Sequence, residues 1–319
     1  MPRGRGKSLD KPLRAGVIGL GAMGRHHARI YSQLPDVELV GVADLDEKLA
    51  AATSEQYRTA GFTDYKQLLN RGLEVVSIAV PTSRHQEVAV AAAEAGSNIL
   101  VEKPIAHNLE SAQAIIDKCE QKGVKLMVGH VERFNPVCRV IKNRIAEMEV
   151  ISIDISRVGP LPPRIKDVGV VIDLAVHDID ILRYLTNSEF RRVQSLIGRG
   201  LTNDREDTAL LSFAMENGVL CHITTNWLTP FKVREISIAA KEKLIKGWLI
   251  EQKVCEYQRS EEDDSYIARE IVVPYGEPLK LEIKGFLDAI KNDETSPVTG
   301  ADGFKALEIA IQCLEMGGQ

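Results

Sequence analysis

A carboxylate and an imidazole stand one helical turn apart in the segment VVIDLAVHDIDILRYL, residues 171 to 186. A helix turns by about 100° per residue, so Asp173, His177, Asp180 and Tyr184 fall on one stripe roughly 60° wide. Most other positions are apolar, and a buried charge is costly unless it is paired or faces a wet cavity. The stripe predicts the wall of a site. It fits an internal hydrogen-bonded pair, a catalytic pair or a metal site.

A glycine-rich turn is the second candidate for chemistry. The motif directly follows the predicted strand AGVIG and opens a predicted helix; it comprises Gly19, Leu20, Gly21, Ala22, Met23 and Gly24. Such glycines allow a pyrophosphate to approach the backbone at the positive end of a helix. The second predicted strand ends at Asp44, whose carboxylate would bind both ribose hydroxyls of an adenosine and repel a 2′-phosphate. NAD is therefore favoured over NADP, while a simple tight turn and a helix cap at Asp44 are the alternatives.

Two further strand ends carry candidate residues. NILVEKPIAHN ends a predicted strand with Glu102, Lys103 and Pro104, at the carboxyl edge where parallel sheets bind ligands. Lys103 there would exchange protons with a substrate hydroxyl, and Pro104 would fix the turn as a cis peptide. A plain Lys–Glu pair is the alternative. Pro81, in AVPTSRHQ, lies where the nicotinamide half should bind, and His85 is interpreted as an ordinary surface or first-turn helix residue.

These residues require a sheet to position them. From Arg14 to residue 130, short β-branched runs alternate with helical stretches, a pattern typical of βαβ units and of a doubly wound parallel sheet. We therefore predict a Rossmann α/β domain at residues 12–130. A basic segment at residues 1–11 lacks apolar residues and is predicted to be a flexible tail.

The pattern changes after residue 130, and we predict an α+β domain at residues 131–319. Successive β-type segments between residues 190 and 275 indicate a large, mostly antiparallel, open-faced sheet. Helices at 133–147 and 171–186 should cover one face. The other face is free to pair with a second subunit, which predicts a homo-oligomer, a dimer or a tetramer. The last helix, at about 301–317, is expected to reach back to the first domain.

Composition excludes several classes of protein. A formal net charge of −5 over 319 residues argues against a nucleic-acid binder. No run approaches the roughly 20 apolar residues of a membrane span, and the N-terminus lacks the apolar core of a signal peptide. We expect no membrane partner and a cytoplasmic location. The five scattered cysteines are typical of reduced, structural thiols.

Four motifs together resemble a known family. GLGAMGRHHA, ILVEKPIA, VGHVERFNP and DLAVHDIDILRYL, in this order and spacing, resemble the GFO/IDH/MocA oxidoreductases over nearly the whole chain. The resemblance implies that Lys103, Asp173 and His177 meet around the nicotinamide of NAD. Lys103 or His177 would remove a substrate hydroxyl proton, and Asp173 would bind a neighbouring hydroxyl or orient His177. Hydride transfer needs no metal, so none is expected. Asp178 points away from the stripe, and its carboxylate is expected to accept hydrogen bonds from buried backbone or to pair with an arginine.

The family acts on hydroxyls of sugars, inositols and nucleotide sugars. The segment from VGHVERFNP onward most resembles the branch that oxidises the 3-hydroxyl of UDP-N-acetylglucosamine. Arg133, Arg164 and Lys166 would then contact a diphosphate, and Asn135 a sugar hydroxyl. The alternatives are surface cations and a helix start at Asn135-Pro136. An inositol or free-sugar dehydrogenase and a non-catalytic regulator stay open, although the chain has both the lysine and the histidine. Members of the family often continue beyond the last helix, so the resemblance leaves open whether the C-terminus is trimmed after EMGGQ.

Overall fold

The structure is a computed structural model that describes residues 11–162, 168–201 and 204–317. Arg164, Lys166 and nearly all of the predicted basic tail lie outside the described residues. The chain divides into two compact units. The first runs to Gly129 and includes Ile283–Gly300, and the second comprises His130–Glu282 and the residues from Ala301 onward.

The first unit contains a six-stranded parallel sheet, which confirms the predicted doubly wound fold. Its strands are β1 (Leu13–Ile18), β2 (Val37–Ala43), β3 (Ala60–Phe62), β4 (Val75–Ile78), β5 (Asn98–Glu102) and β6 (Leu126–Gly129). Its helices are α1 (Gly24–Gln33), α2 (Glu47–Tyr57), α3 (Tyr65–Leu69), α4 (His85–Glu94) and α5 (Leu109–Lys122). The strand order is β3-β2-β1-β4-β5-β6. The order reverses between β1 and β4, and a doubly wound sheet binds ligands at the carboxyl ends of such strands.

The second unit contains an eight-stranded sheet in the order β14-β13-β12-β11-β7-β10-β9-β8. Its strands are β7 (Val150–Pro160), β8 (Phe190–Gly198), β9 (Thr208–Met215), β10 (Leu220–Asn226), β11 (Leu228–Ala240), β12 (Lys243–Trp248), β13 (Lys253–Arg259) and β14 (Tyr266–Ile271). Its helices include α6 (Pro136–Ile145) and a π-helical turn (Val171–Ala175) that continues as α7 (Val176–Thr186). Helices α8 (Pro278–Lys291) and α9 (Gly300–Gly317) follow along the chain. All neighbouring strands are antiparallel except β7 and β10, so the predicted mostly antiparallel sheet is confirmed.

The core of the second unit lies on one face of this sheet. Side chains alternate along β7, where Ile153 and Ile155 are buried and Asp154 between them is exposed. The buried side chains pack with those of the helices, including Ile141, Ile179, Leu182 and Ala310. Since a strand turns successive side chains to opposite faces, this alternation leaves the other face open.

The last helix differs from the prediction. Ala306, Ile309, Ala310 and Cys313 of α9 belong to the core of the second unit, because its apolar face packs there. The segment that groups with the first unit is instead Ile283–Gly300, in which the Val298 carbonyl accepts a hydrogen bond from the N–H of Val128. Strand β3 and helix α3 were not predicted, because elements of 3 and 5 residues show no recognisable period.

Two findings concern the class of protein. None of the helices in the described ranges combines the length and apolar character that crossing a bilayer requires. The five cysteines all lie in described residues and form no disulfide.

Candidate active site

The glycine turn joins β1 to α1 and has the shape expected for a pyrophosphate cradle. Gly19 has a φ of +87°, and a Cβ there would lie 2.6 Å from the carbonyl carbon of Ala79. A Cβ on Gly24 would lie 1.7 Å from the Gly19 carbonyl oxygen. Around the Cβ position of Gly21, in contrast, no described atom beyond its chain neighbours lies within 4 Å. An anion can therefore approach the N-terminus of α1, where the helix dipole is positive.

Asp44 is held beside this turn. Its Oδ2 accepts a 2.6 Å hydrogen bond from the Leu20 N–H, and its Oδ1 accepts one of 2.9 Å from the Asp46 N–H. The helix-cap alternative belongs to Asp46 instead, whose side chain accepts hydrogen bonds from two N–H groups in the first turn of α2. The Asp44 carboxylate is thus fixed directly after β2, beside the glycine turn.

The loop after β4 contains Pro81, which precedes one 3₁₀ turn (Thr82–Arg84). His85 begins α4, which confirms the first-turn alternative, and it is only 1% exposed, so it is not a surface residue. Its Nδ1 lies 3.0 Å from the carbonyl oxygen of Pro104, and its Nε2 lies 3.0 Å from that of Val80. His85 therefore contacts the backbone of two loops that carry predicted cofactor residues.

Lys103 follows directly after β5. Its peptide bond with Pro104 is cis, as the sequence predicts, and its side chain is half-buried. The preceding residue, Glu102, is buried, and its Oε1 lies 2.9 Å from Nε2 of His27. Glu102 is thus turned toward α1, which carries His27.

A chain of hydrogen bonds continues from Glu102 into the first unit. Nδ1 of His27 lies 2.9 Å from the Ser77 hydroxyl, which lies 2.9 Å from the Tyr31 hydroxyl. Burial alone would raise the pKa of Glu102, but the hydrogen bond and charge of His27, together with the charge of Lys103, hold it below its ordinary value. The carboxylate next to Lys103 is therefore ionised at neutral pH.

Residues 171–186, which contain Asp173 and His177, are helical as predicted, but the first turn of the helix is π-helical. Asp173 lies within that turn and is 5% exposed, whereas His177 is half-buried at the start of α7. The His177 ring packs edge-on against His130, with the ring centroids 6.2 Å apart. A π turn inserts an extra residue into a helix and is frequent at functional sites.

Asp180 and Tyr184 continue the predicted stripe, and Arg133 binds both. Its Nε and Nη2 each donate a 2.6 Å hydrogen bond to Asp180, and its Cζ lies 5.6 Å from the Tyr184 ring centroid. Nη2 also lies 3.3 Å from Asp302, and the Arg133 side chain is 10% exposed. Two carboxylates thus already neutralise Arg133, an arrangement that does not favour the predicted diphosphate contact.

Asn135 caps helix α6. Its Oδ1 accepts a 3.1 Å hydrogen bond from the Val137 N–H, and its Nδ2 donates one of 3.1 Å to the Leu249 carbonyl. Pro136 occupies the first position of the helix. The structure therefore contains the helix start that was the alternative interpretation. Both the oxygen and the nitrogen of the buried Asn135 amide already have backbone partners.

Asp178, next to His177, is buried against Arg157, which confirms the expected arginine partner. Arg157 Nε lies 2.8 and 2.9 Å from the two Asp178 oxygens, and its Nη1 donates a 2.8 Å hydrogen bond to Glu132. Burial raises the pKa of Asp178 to about 6, since Arg157 offsets the loss of hydration only in part. For Glu132, burial is outweighed by the charge and hydrogen bond of Arg157, which lower its pKa.

Sequence reasoning did not predict the burial of three histidines, namely His27, His85 and His130. Their only signal in the sequence is position, since each stands within or beside a motif already singled out. Their partners lie up to 75 residues away, which no local pattern reveals. Among the described residues, no group of three or more His, Cys, Asp or Glu side chains is arranged to hold a metal ion.

Comparisons with known proteins match both units. Residues 13–130 match the GFO/IDH/MocA model described as "Oxidoreductase family, NAD-binding Rossmann fold", and residues 143–245 match the "GFO/IDH/MocA C-terminal domain". UDP-N-acetylglucosamine 3-dehydrogenase of Acidithiobacillus ferrooxidans is 29% identical over 310 residues, which cover 94% of this chain and 96% of that protein. The scyllo-inositol 2-dehydrogenase (NAD(+)) of Bacillus subtilis is 29% identical over 322 residues, with 95% and 93% covered. A solved structure of the A. ferrooxidans enzyme superposes with a TM-score of 0.89 at 27% identity, covering 95% of this chain and 97% of that one.

Proposed function

Since the chain belongs to the GFO/IDH/MocA family of oxidoreductases, we propose that it oxidises the 3-hydroxyl of a UDP-N-acetylhexosamine, namely UDP-N-acetylglucosamine, to a ketone. The broader class is an NAD-dependent dehydrogenase that acts on a sugar or polyol hydroxyl. One observation carries the finer proposal: a UDP-N-acetylglucosamine 3-dehydrogenase resembles this chain in sequence and in fold over almost its whole length.

We assign proton transfer to Lys103 or His177. NAD, when bound, supplies the acceptor for the hydride that leaves the same substrate carbon. The Lys103 amine or the His177 imidazole removes the hydroxyl proton, and Asp173 binds a neighbouring hydroxyl or orients His177. Two facts support this assignment. Lys103 and His177 are each half-buried, and each is next to a buried carboxylate, since Lys103 follows Glu102 and His177 precedes Asp178.

We assign the cofactor to the glycine turn and to Asp44, with Pro81, Glu102 and Lys103 on the nicotinamide side. The open space at Gly21 and the fixed carboxylate of Asp44 support this assignment. A 2′-phosphate beside Asp44 would be repelled, so NAD should be preferred over NADP. Asp44→Ala should weaken NAD binding and reduce that preference. Unchanged selectivity in cofactor titrations would show that another residue contacts the ribose.

The predicted diphosphate contacts are assigned to Arg164 and Lys166, because Arg133 is already paired with two carboxylates. Replacing either residue by alanine should raise KM for a UDP-sugar and leave KM for NAD unchanged. A free sugar or an inositol has no diphosphate, so its KM should not respond. Equal effects on both substrate classes would remove these residues from the assignment.

A substrate screen tests the proposed function directly. UDP-N-acetylglucosamine, free hexoses and inositols are each incubated with NAD or NADP, and reduced nicotinamide is followed by absorbance. Turnover of UDP-N-acetylglucosamine in preference to the others supports the proposal. A preference for scyllo-inositol would establish the second candidate, which the 29% identity to the B. subtilis enzyme favours. Absence of turnover with every substrate would leave a non-catalytic regulator.

We propose further that the open face of the eight-stranded sheet pairs with a second copy of the chain. Leu196 on β8 faces Leu210 on β9 in the strand register, and both side chains are exposed. Leu220 on β10, which faces Ala214 of β9, is exposed as well. Contiguous exposed apolar side chains are typical of interaction surfaces. Light scattering on the eluting protein measures the mass, and a monomer at all concentrations would contradict this assignment.

A further inference from the structure

His85 is a buried histidine to which the proposed function gives no role. Its Nδ1 lies 3.0 Å from the Pro104 carbonyl oxygen and 3.3 Å from that of Ile105, while its Nε2 lies 3.0 Å from that of Val80. Water is excluded from these contacts because the side chain is almost fully buried. One imidazole thus contacts the chain just after Lys103 and the chain just before Pro81.

The two contacted loops follow neighbouring strands. Strands β4 and β5 pair in parallel, with Ile78 opposite Val101, so their following loops leave the sheet side by side. The β5 loop carries Lys103, and the β4 loop carries Pro81, which we assign to the nicotinamide side of the cofactor. A link between the two loops therefore fixes the distance between the proposed base and the proposed hydride acceptor.

We propose that His85 is a positioning residue that holds the Lys103 turn against the loop after β4. This inference rests on the proposed function, because it assigns Lys103 to the reaction. Burial lowers the pKa of His85, so the imidazole is neutral and carries a single N–H. We place this N–H on Nδ1, where it is donated to the Pro104 carbonyl, with the Ile105 carbonyl as a longer second acceptor. A displacement of about 1 Å in a reacting group can cost roughly 100-fold in rate. A loss of the Nδ1 contact should therefore act on turnover through Lys103.

Two substitutions separate positioning from simple support of the fold. An asparagine amide nitrogen can occupy the place of Nδ1, and a glutamine amide nitrogen can occupy the place of Nε2. His85→Asn therefore keeps the donor to the Lys103 turn, whereas His85→Gln offers a donor to the Val80 carbonyl and none to that turn. Each variant loses part of the ring volume and keeps its contact with only one of the two loops, so thermal unfolding should show a loss of stability for both.

The kinetic outcome differs between the two variants. With the substrate that the wild-type chain oxidises, His85→Gln should lower kcat and kcat/KM together by about 10- to 100-fold, because an interaction that matters in the transition state is lost. KM for NAD should change little. His85→Asn should retain most of the turnover. Equal losses of kcat in the two variants would overturn the proposal.

A second measurement does not depend on turnover. Trace labelling with acetic anhydride, read by peptide mass spectrometry across pH, reports the reactivity of Lys103, with Lys118 as an internal reference in the same unit. His85→Gln should shift the Lys103 profile, and His85→Asn should not. If the wild-type chain oxidises nothing in the screen, the proposed function fails, and labelling alone decides whether His85 positions Lys103.

The wild-type protein provides the decisive observation if His85→Gln does not fold. In the ¹⁵N spectrum of histidine-labelled protein, the His85 signals are assigned by their loss in His85→Asn. A slowly exchanging proton on Nδ1 supports the proposal. An Nδ1 without a proton would overturn it, because no hydrogen bond could then run to the Lys103 turn.

Discussion

Both units hold a buried carboxylate directly beside a residue that we assign to proton transfer. In the first unit Glu102 precedes Lys103, and in the second Asp178 follows His177. Adjacent residues point in different directions, about 180° apart in a strand and about 100° apart in a helix. The neighbour is therefore buried while the reactive side chain stays half-buried. The core-held carboxylate fixes the backbone from which the reactive group projects.

The two carboxylates differ in their counter-ions. Glu102 contacts the imidazole of His27, which continues to the hydroxyl of Ser77. Asp178 shares the guanidinium of Arg157 with Glu132. A guanidinium stays charged at every pH that proteins tolerate, whereas an imidazole loses its charge near neutrality. Only the second support thus has a counter-ion that is permanently charged.

The largest effect should come from the reactive residues, and it decides which unit supplies the base. If the base is Lys103, Lys103→Met should lower kcat by about 100- to 10,000-fold, as expected for loss of a general base. NAD affinity, measured by titration, should stay nearly intact. His177→Gln would then lower kcat by a smaller factor. Near-normal rates in Lys103→Met would assign the base to the second unit.

A matched lysine controls for the loss of charge. Lys118 lies in the same unit and pairs with Glu94 at 3.4 Å. Lys118→Met should leave turnover unchanged, since such pairs contribute at most about 1 kcal/mol to stability. A comparable loss of rate in this variant would show that the effect at Lys103 is not specific.

The arginine that supports the second unit should give the next largest effect. Arg157→Met leaves Asp178 and Glu132 buried without their shared cation, and we expect a loss of about 3–5 kcal/mol in the free energy of unfolding by urea. Arg144→Met is the matched control, because Arg144 is 36% exposed and Glu256 keeps Lys243 as a second partner. Arg144→Met should lower the free energy of unfolding by about 1 kcal/mol or less. Equal losses would show that burial of the pair contributes nothing.

The pH dependence of stability should have opposite signs in the two units. The pKa of Asp178 is about 6 in the fold and 3.8 ordinarily, so between these values the folded chain binds more protons than the unfolded chain. Stability from Asp178 is therefore complete below pH 3.8 and falls by about 2–3 kcal/mol as pH rises to 6. Asp178→Asn should remove this decline, as measured by urea unfolding across pH.

The contribution of Glu102 to stability should depend on pH in the opposite direction. Its folded pKa lies below the ordinary 4.5, so its contribution is present above 4.5 and is lost as pH falls further. Glu102→Gln should reduce this acid sensitivity in the same series of measurements. A decline with rising pH that survives in Asp178→Asn would mean that another group causes it.

The parts of both units that sequence predicts are those with local signals. Alternating strands and helices are local patterns, as are the glycine turn and the cap at Asn135. The helical stripe also placed Asp180 and Tyr184 together, but their partner Arg133 lies 47 residues from Asp180. The π turn escaped prediction because a fixed 100° step assumes a regular α-helix. Burial of His27 and His85 depends on partners in other elements, which composition does not reveal.

The smallest effect should come from the far end of the network in the first unit. Tyr31 is buried, and its hydroxyl lies 2.9 Å from that of Ser77. Tyr31→Phe keeps the ring volume and removes a hydrogen bond, so unfolding should become easier by about 0.5–1.5 kcal/mol. Ser77 still contacts His27, so Glu102 keeps its partner and the pH profile of kcat should not move. A shifted profile would mean that the chain from Glu102 to Tyr31 transfers protons, and the two units would then differ in function as well as in counter-ion.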